Sequence, residues 1–163
     1  MYTFGIDIGS TSSKAVILKD GKEIIAHQVI SLGTGTIGPK EAKEQVFEEA
    51  SISPEEISYT IVTGYGRMKC DYADEQISEL SCHAKGIHYL LPTVRTVIDI
   101  GGQDAKALRI DDKGHLIQFQ MNDKCAAGTG RFLDVMAKIL NVDINDLGSL
   151  SEKSSHPANI SNT

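Results

Sequence analysis

The chain carries one short motif twice, at a fixed spacing. Gly5-Ile6-Asp7-Ile8-Gly9-Ser10-Thr11-Ser12-Ser13-Lys14-Ala15 aligns with Val97-Ile98-Asp99-Ile100-Gly101-Gly102-Gln103-Asp104-Ala105-Lys106-Ala107. Asp7 falls on Asp99, Gly9 on Gly101, Lys14 on Lys106 and Ala15 on Ala107. Each copy is an apolar strand that ends in an acid, turns on glycine and leaves along a new strand from a lysine. Hairpin signals follow at corresponding places, Asp20-Gly21 and Asp111-Asp112-Lys113-Gly114. A strand–turn–strand unit used twice implies two similar half-domains that face each other across a cleft.

The remaining pattern fills in those halves. Residues 2–8, 14–20 and 22–31 alternate as strands, and Asp20-Gly21 joins the last two. Gly33 to Pro39 is a glycine-rich loop, Glu41–Ala50 a helix with Pro39 in its first turn, and Ser53-Pro54-Glu55-Glu56 a short capped helix. A strand over Ile57–Thr63 ends at Gly64-Tyr65-Gly66-Arg67. A helix over Asp74–Leu91 closes at Pro92. Strands over 94–100, 104–110 and 115–120, a loop over 121–127, a helix from Gly128 or Thr129 to Leu140 and a short helix over 142–150 complete the reading. Domain boundaries are expected at 1–92 and 93–163. The second half is shorter than the first, so a truncated second half is expected.

Three antiparallel strands, helix, strand, helix, then three strands again resembles the ribonuclease-H-like α/β unit. Two such units in tandem resemble the actin/Hsp70/sugar-kinase fold, whose two phosphate motifs are similar to Asp7-Ile8-Gly9-Ser10-Thr11 and Asp99-Ile100-Gly101-Gly102-Gln103. The chemistry agrees. Glycine lets backbone amides close on phosphate oxygens, and a strand-end carboxylate suits a hydrated magnesium. Asp7 and Asp99 are the candidate magnesium and catalytic acids. Gly9, Ser10, Thr11, Lys14, Gly101 and Gly102 are the candidate ATP/ADP phosphate cradle. Gln103 is the candidate to orient the attacking water. Lys106 reads as a solvent-facing strand residue. Tyr65 and Arg67 read either as contacts to a partner or nucleotide, or as parts of a turn that merely ends a strand.

Composition narrows the class. The 163 residues carry a net charge of −6, which gives no basic surface for nucleic acid. No apolar run approaches the roughly 20 residues of a membrane helix. The three cysteines, Cys70, Cys82 and Cys125, form no disulfide framework, which points to a reducing cytoplasm. Adjacent residues on a helix point about 100° apart, so Cys82-His83 is no metal pair. Cys82 reads as core and His83 as exposed or capping. Cys70 reads as incidental. Cys125 stands between a strand and a helix start, where helix-end amides and Lys124 favour thiolate.

Asn122-Asp123-Lys124-Cys125-Ala126-Ala127-Gly128-Thr129-Gly130-Arg131-Phe132 closely resembles the signature of the activators of (R)-2-hydroxyacyl-CoA dehydratases, which also occurs in benzoyl-CoA reductase ATPase subunits. Thr63-Gly64-Tyr65-Gly66-Arg67, Glu79-Leu80-Ser81-Cys82-His83-Ala84 and the second phosphate motif extend the resemblance. It implies a homodimer that shares one [4Fe–4S] cluster, with Cys125 as one ligand and a second expected after Ser161-Asn162-Thr163. It further implies a ferredoxin or flavodoxin as electron donor, a dehydratase as acceptor, and hinge closure driven by ATP. The rival readings are a small-molecule kinase of the same superfamily and a nucleotide switch without iron. The short cysteine loop favours the activator over the reductase subunit.

Overall fold

The computed structural model describes residues 1–158. They fall into two compact units, one of residues 1–99 with 106–121 and one of residues 100–105 with those from 122 onward. The second ligand expected beyond Thr163 lies outside the described residues.

The first unit is built on a five-stranded sheet in the order β3-β2-β1-β4-β5. Its strands are β1 (Tyr2–Ile8), β2 (Ser13–Lys19), β3 (Glu23–Ile30), β4 (Ile57–Thr63) and the two-residue β5 (Glu75–Gln76). The first three run antiparallel, whereas β4 joins β1 in parallel and β5 joins β4 in parallel. Asp20 and Gly21 both take positive φ, 53° and 68°, as a hairpin turn that follows strand twist requires. Helix α1 (Gly38–Ala50) begins with proline in its first turn, as expected, although Gly38 already belongs to it.

Strand alternation buries Phe4, Ile6 and Ile8 of β1 and Ala15 and Ile17 of β2 in one core with Ala26, Ala42, Val46, Val62 and Cys70. Helix α1 seals that core through Ala42 and Val46, and its Phe47 ring meets Phe4 at 5.2 Å. Cys70 is therefore core, not an incidental loop residue.

The helix expected from Asp74 starts five residues late, as α2 (Glu79–Leu90). Asp74 is held instead beside β4, where its amide donates to Thr60 O at 3.0 Å and its carboxylate accepts from Thr60 N at 2.7 Å. Ser78 then caps the helix by accepting from the Ser81 amide. A three-stranded sheet follows in the order β6 (Thr96–Ile100), β7 (Ala105–Ile110), β8 (Leu116–Asn122). Strand β8 runs on through Met121 and Asn122, which shortens the expected loop. Helices α3 (Gly130–Leu140) and α4 (Leu147–Glu152) end the described chain, and none of its helices is long and apolar enough to cross a membrane.

Candidate functional site

Antiparallel pairing of β1 with β2 sets Asp7 directly opposite Lys14, and Lys14 Nζ lies 3.0 Å from Asp7 Oδ2. The turn between them is closed by Gly9 N donating to Ser12 O at 3.0 Å, with Ser10 and Thr11 exposed at its tip. Two further passages lean on it. Thr34 N donates to Gly9 O and Gly66 N to Ile8 O, both at 2.8 Å. Gly64 has φ +89°, and a Cβ there would stand 2.2 Å from Asp7 Oδ1. Only glycine combines that conformation with that approach. This glycine pair does more than end a strand, since Gly64 packs directly on Asp7. Of its neighbours, Arg67 turns back to donate to Gly64 O at 3.1 Å, while Tyr65 stays exposed.

The second copy repeats the closure, with Gly101 N donating to Asp104 O at 2.8 Å. Its acid and lysine are set differently. Lys106 is only 5% exposed, which overturns the solvent-facing expectation. Its ammonium lies 3.1 Å from Glu79 Oε1 and 3.6 Å from Asp99 Oδ2, because β7 turns it inward against α2. A buried lysine needs such paired acids. His83, expected to be exposed or capping, is partly covered and brings Nδ1 to 2.9 Å from Asp99 Oδ2, off the line of a hydrogen bond. One residue earlier, Cys82 faces the first copy. Burial pushes its thiol pKa up, the Thr63 side chain offsets some of this, and the charge of Asp7 adds to it. The Thr63 hydroxyl nonetheless lacks a partner of hydrogen-bonding geometry.

The donor types gathered here are those that magnesium takes. Magnesium takes one or two carboxylates and completes its shell with waters and phosphate oxygens. Two strand-end acids are of that kind, and the covered Thr63 Oγ1, which lacks a partner of hydrogen-bonding geometry, suits a hydrogen bond to a hydration shell, while His83 Nδ1 stands against Asp99 itself. No cluster of three His, Cys, Asp or Glu side chains that could hold a metal occurs among the described residues.

In the second unit, the amides of Gly130 and Arg131 donate to Gly101 O at 3.0 Å and Gly102 O at 2.9 Å. The start of α3 is thus seated on the second glycine turn, and those helix-end amides serve the turn rather than Cys125, contrary to expectation. The thiol of Cys125 is free and exposed. Its backbone is fastened by Asn122, which accepts from Cys125 N at 3.3 Å and donates to Cys125 O at 3.2 Å. Thr129, fully buried, donates through its hydroxyl to Ala126 O at 2.6 Å and links the loop to the helix. Gln103 is exposed on the glycine turn. Cys125 is a free, exposed thiol of the kind that can ligate a metal, whereas Cys70 and Cys82 are covered within the first unit.

A cleft of about 740 Å3 opens along α1, lined by Thr34, Lys43, Phe47, Lys69 and Tyr72 among others. Its one carboxylate, Glu44, lies 3.6 Å from Lys40 on the exposed face of α1.

Known proteins of similar sequence and structure identify the family. The chain is 60% identical over 163 residues to the activator of lactoyl-CoA dehydratase of Anaerotignum propionicum, covering 100% of this chain and 63% of that protein. The structure of the activator of the 2-hydroxyisocaproyl-CoA dehydratase from Clostridium difficile, with bound ADPNP, matches at TM-score 0.90 and 58% identity, over 99% of this chain and 60% of that one. One of the benzoyl-CoA reductase subunits of Thauera aromatica is 32% identical over 164 residues, covering 98% of this chain and 58% of that protein. The chain therefore spans less than two thirds of the length of these relatives. Structures of only 12% and 13% identity share the architecture at TM-scores of 0.61 and 0.55, so the fold is actin-, Hsp70- and sugar-kinase-like. With its residues 4–163 matched by the family's model, the chain belongs to the BadF/BadG/BcrA/BcrD ATPase family.

Proposed function

We propose that the chain is the nucleotide-binding part of an ATP-driven electron-transfer activator of a 2-hydroxyacyl-CoA dehydratase. The observation that carries this reading is the seat of α3 on Gly101 and Gly102, because it joins a phosphate turn to the loop of Cys125 by two backbone hydrogen bonds. Gly9, Ser10, Thr11 and Lys14 from one copy, with Gly101 and Gly102 from the other, would cradle the phosphates of ATP or ADP. Asp7 and Asp99 would hold magnesium, and Gln103 would orient the water. Hydrolysis of this kind needs no protein nucleophile.

Phosphate accepting from the amides of the Gly101-Gly102 turn would shift that turn, and with it the carbonyls to which the Gly130 and Arg131 amides donate. Thr129 carries that shift to Ala126, one residue from Cys125. A [4Fe–4S] cluster held by Cys125, by its counterpart in a homodimer and by two further thiolates would supply a one-electron store whose potential follows its surroundings. The electron would come from a ferredoxin or flavodoxin and go to the dehydratase. Identity favours this reading over a benzoyl-CoA reductase component, at 60% against 32%.

The intact protein, purified without oxygen, should be brown, contain iron and sulfide, and bleach with dithionite. A colourless protein that binds ATP would leave the iron-free switch as the answer. Phosphate transfer to an added small acceptor would revive the kinase.

A further inference from the structure

The first turn of α2 presents Glu79, Cys82 and His83 at i, i+3 and i+4, three places on one helix face. Together they reach both copies of the repeated motif. Glu79 pairs with Lys106 at 3.1 Å, and His83 Nδ1 stands 2.9 Å from Asp99 Oδ2. Cys82 sits against Thr63 and feels the charge of Asp7. Along the chain these partners are far apart; the helix collects them within one unit.

Two polar atoms mark the ends of this arrangement. Thr63 Oγ1 and His83 Nδ1 are both covered and both lack a partner of hydrogen-bonding geometry. Burying such a group costs about 1–3 kcal/mol, so native chains rarely leave one without a purpose. Here each belongs to the surroundings of one acid. Thr63 ends the strand beside Asp7, with Asp7 and Thr63 paired in register across β1 and β4, and His83 stands at Asp99.

We propose that Thr63 and His83 are positioning residues, which orient Asp7 and Asp99 and the hydration shell of the magnesium they hold. This rests on the nucleotide reading above. In this arrangement the bracket formed by Thr63 of β4 and His83 of α2 sets how strongly nucleotide binding depends on magnesium, while neither residue touches the nucleotide. Groups at this remove from a metal commonly change its affinity by about 10–100-fold when removed.

The test is titration of the protein with fluorescent ADP, with and without magnesium, in wild type, His83→Ala, His83→Gln, Thr63→Val and Lys85→Ala. Thermal melts accompany each titration. Lys85 serves as the control, since its ammonium donates to Lys113 O away from both acids. The ratio of affinities with and without magnesium should fall about tenfold or more in His83→Ala and Thr63→Val. It should recover in part in His83→Gln and hold in Lys85→Ala. Should His83→Ala fail to fold, Thr63→Val and His83→Gln carry the measurement. An unchanged ratio in folded variants of a magnesium-dependent wild type overturns the bracket alone. A wild type that binds no ADP overturns the nucleotide reading and the bracket with it.

Discussion

The two copies of the motif share their sequence logic and differ in what surrounds them. In the first, Lys14 is nearly half exposed, at 44%, and among the described residues pairs with Asp7. In the second, Lys106 is 4% exposed in its side chain and shared by Asp99 and Glu79, with His83 on the same carboxylate oxygen. The turns themselves close alike, by Gly9 to Ser12 and by Gly101 to Asp104. Local sequence therefore builds the turn, while a helix from elsewhere in the chain decides whether its lysine is a half-exposed charge or a buried one. In the proposed mechanism the first copy's lysine would turn to a phosphate. The second suits a lysine that holds acids in place.

The largest effect should separate the two lysines. Lys106→Ala leaves two carboxylates crowded without their cation and should cost about 3–5 kcal/mol in urea unfolding. Lys14→Ala removes a part-exposed pair and should cost about 1 kcal/mol or less. Equal losses would erase the distinction between the copies.

A second contrast concerns glycine. Gly64→Ala places a methyl group against Asp7 at positive φ and should destabilise by more than about 2 kcal/mol. Gly128→Ala, also at positive φ but with open space around it, should cost only about 1 kcal/mol. Thermal melts of the two variants sharpen the point that the first turn is crowded by a third chain passage.

The thiols give a milder test. Iodoacetamide followed by mass spectrometry should label exposed Cys125 first. Cys82 should lag, because burial holds its pKa up, and Cys70 should react last, on unfolding. Early labelling of Cys82 would mean that the α2 face is open.

Smallest are the hairpin acids, one per copy. Asp111 is held down to about 2 chiefly by the backbone amide of His115, and Asp20 is lowered chiefly by its hydrogen bond from the N-terminal ammonium. A depressed carboxylate stabilises above its ordinary value of 3.8, and that contribution is lost as pH falls through its folded value. NMR titration should place Asp111 near 2 and Asp20 below 3.8. Acetylating the N-terminus should return Asp20 toward its ordinary value and leave Asp111 alone.

Much of this was legible in the residues. Alternation over 2–8, the Asp20-Gly21 turn and Pro39 at a helix start are local signals, and each formed as local chemistry dictates. The acids, glycines and Lys14 of the candidate site could be named because the motif occurs twice. Lys106 was misread because its burial depends on Glu79 and Asp99, partners that no strand pattern reveals. The early start assigned to α2 has the same origin, since Asp74 is captured by Thr60 of a neighbouring strand before the helix begins. For Cys82 and His83, helix geometry excluded a shared metal; that each turns to a different copy of the motif became visible only with the fold. The environment of Cys125 was hidden too, because the helix amides in front of it are spent on Gly101 and Gly102.

In the mechanism proposed above, nucleotide at the glycine turns acts through α3 on the thiol of Cys125. Its most direct test is ATP-dependent electron delivery to the dehydratase by the intact protein carrying Cys125→Ala. Delivery should stop while magnesium-ADP still binds. Delivery at the normal rate by that variant would contradict the mechanism.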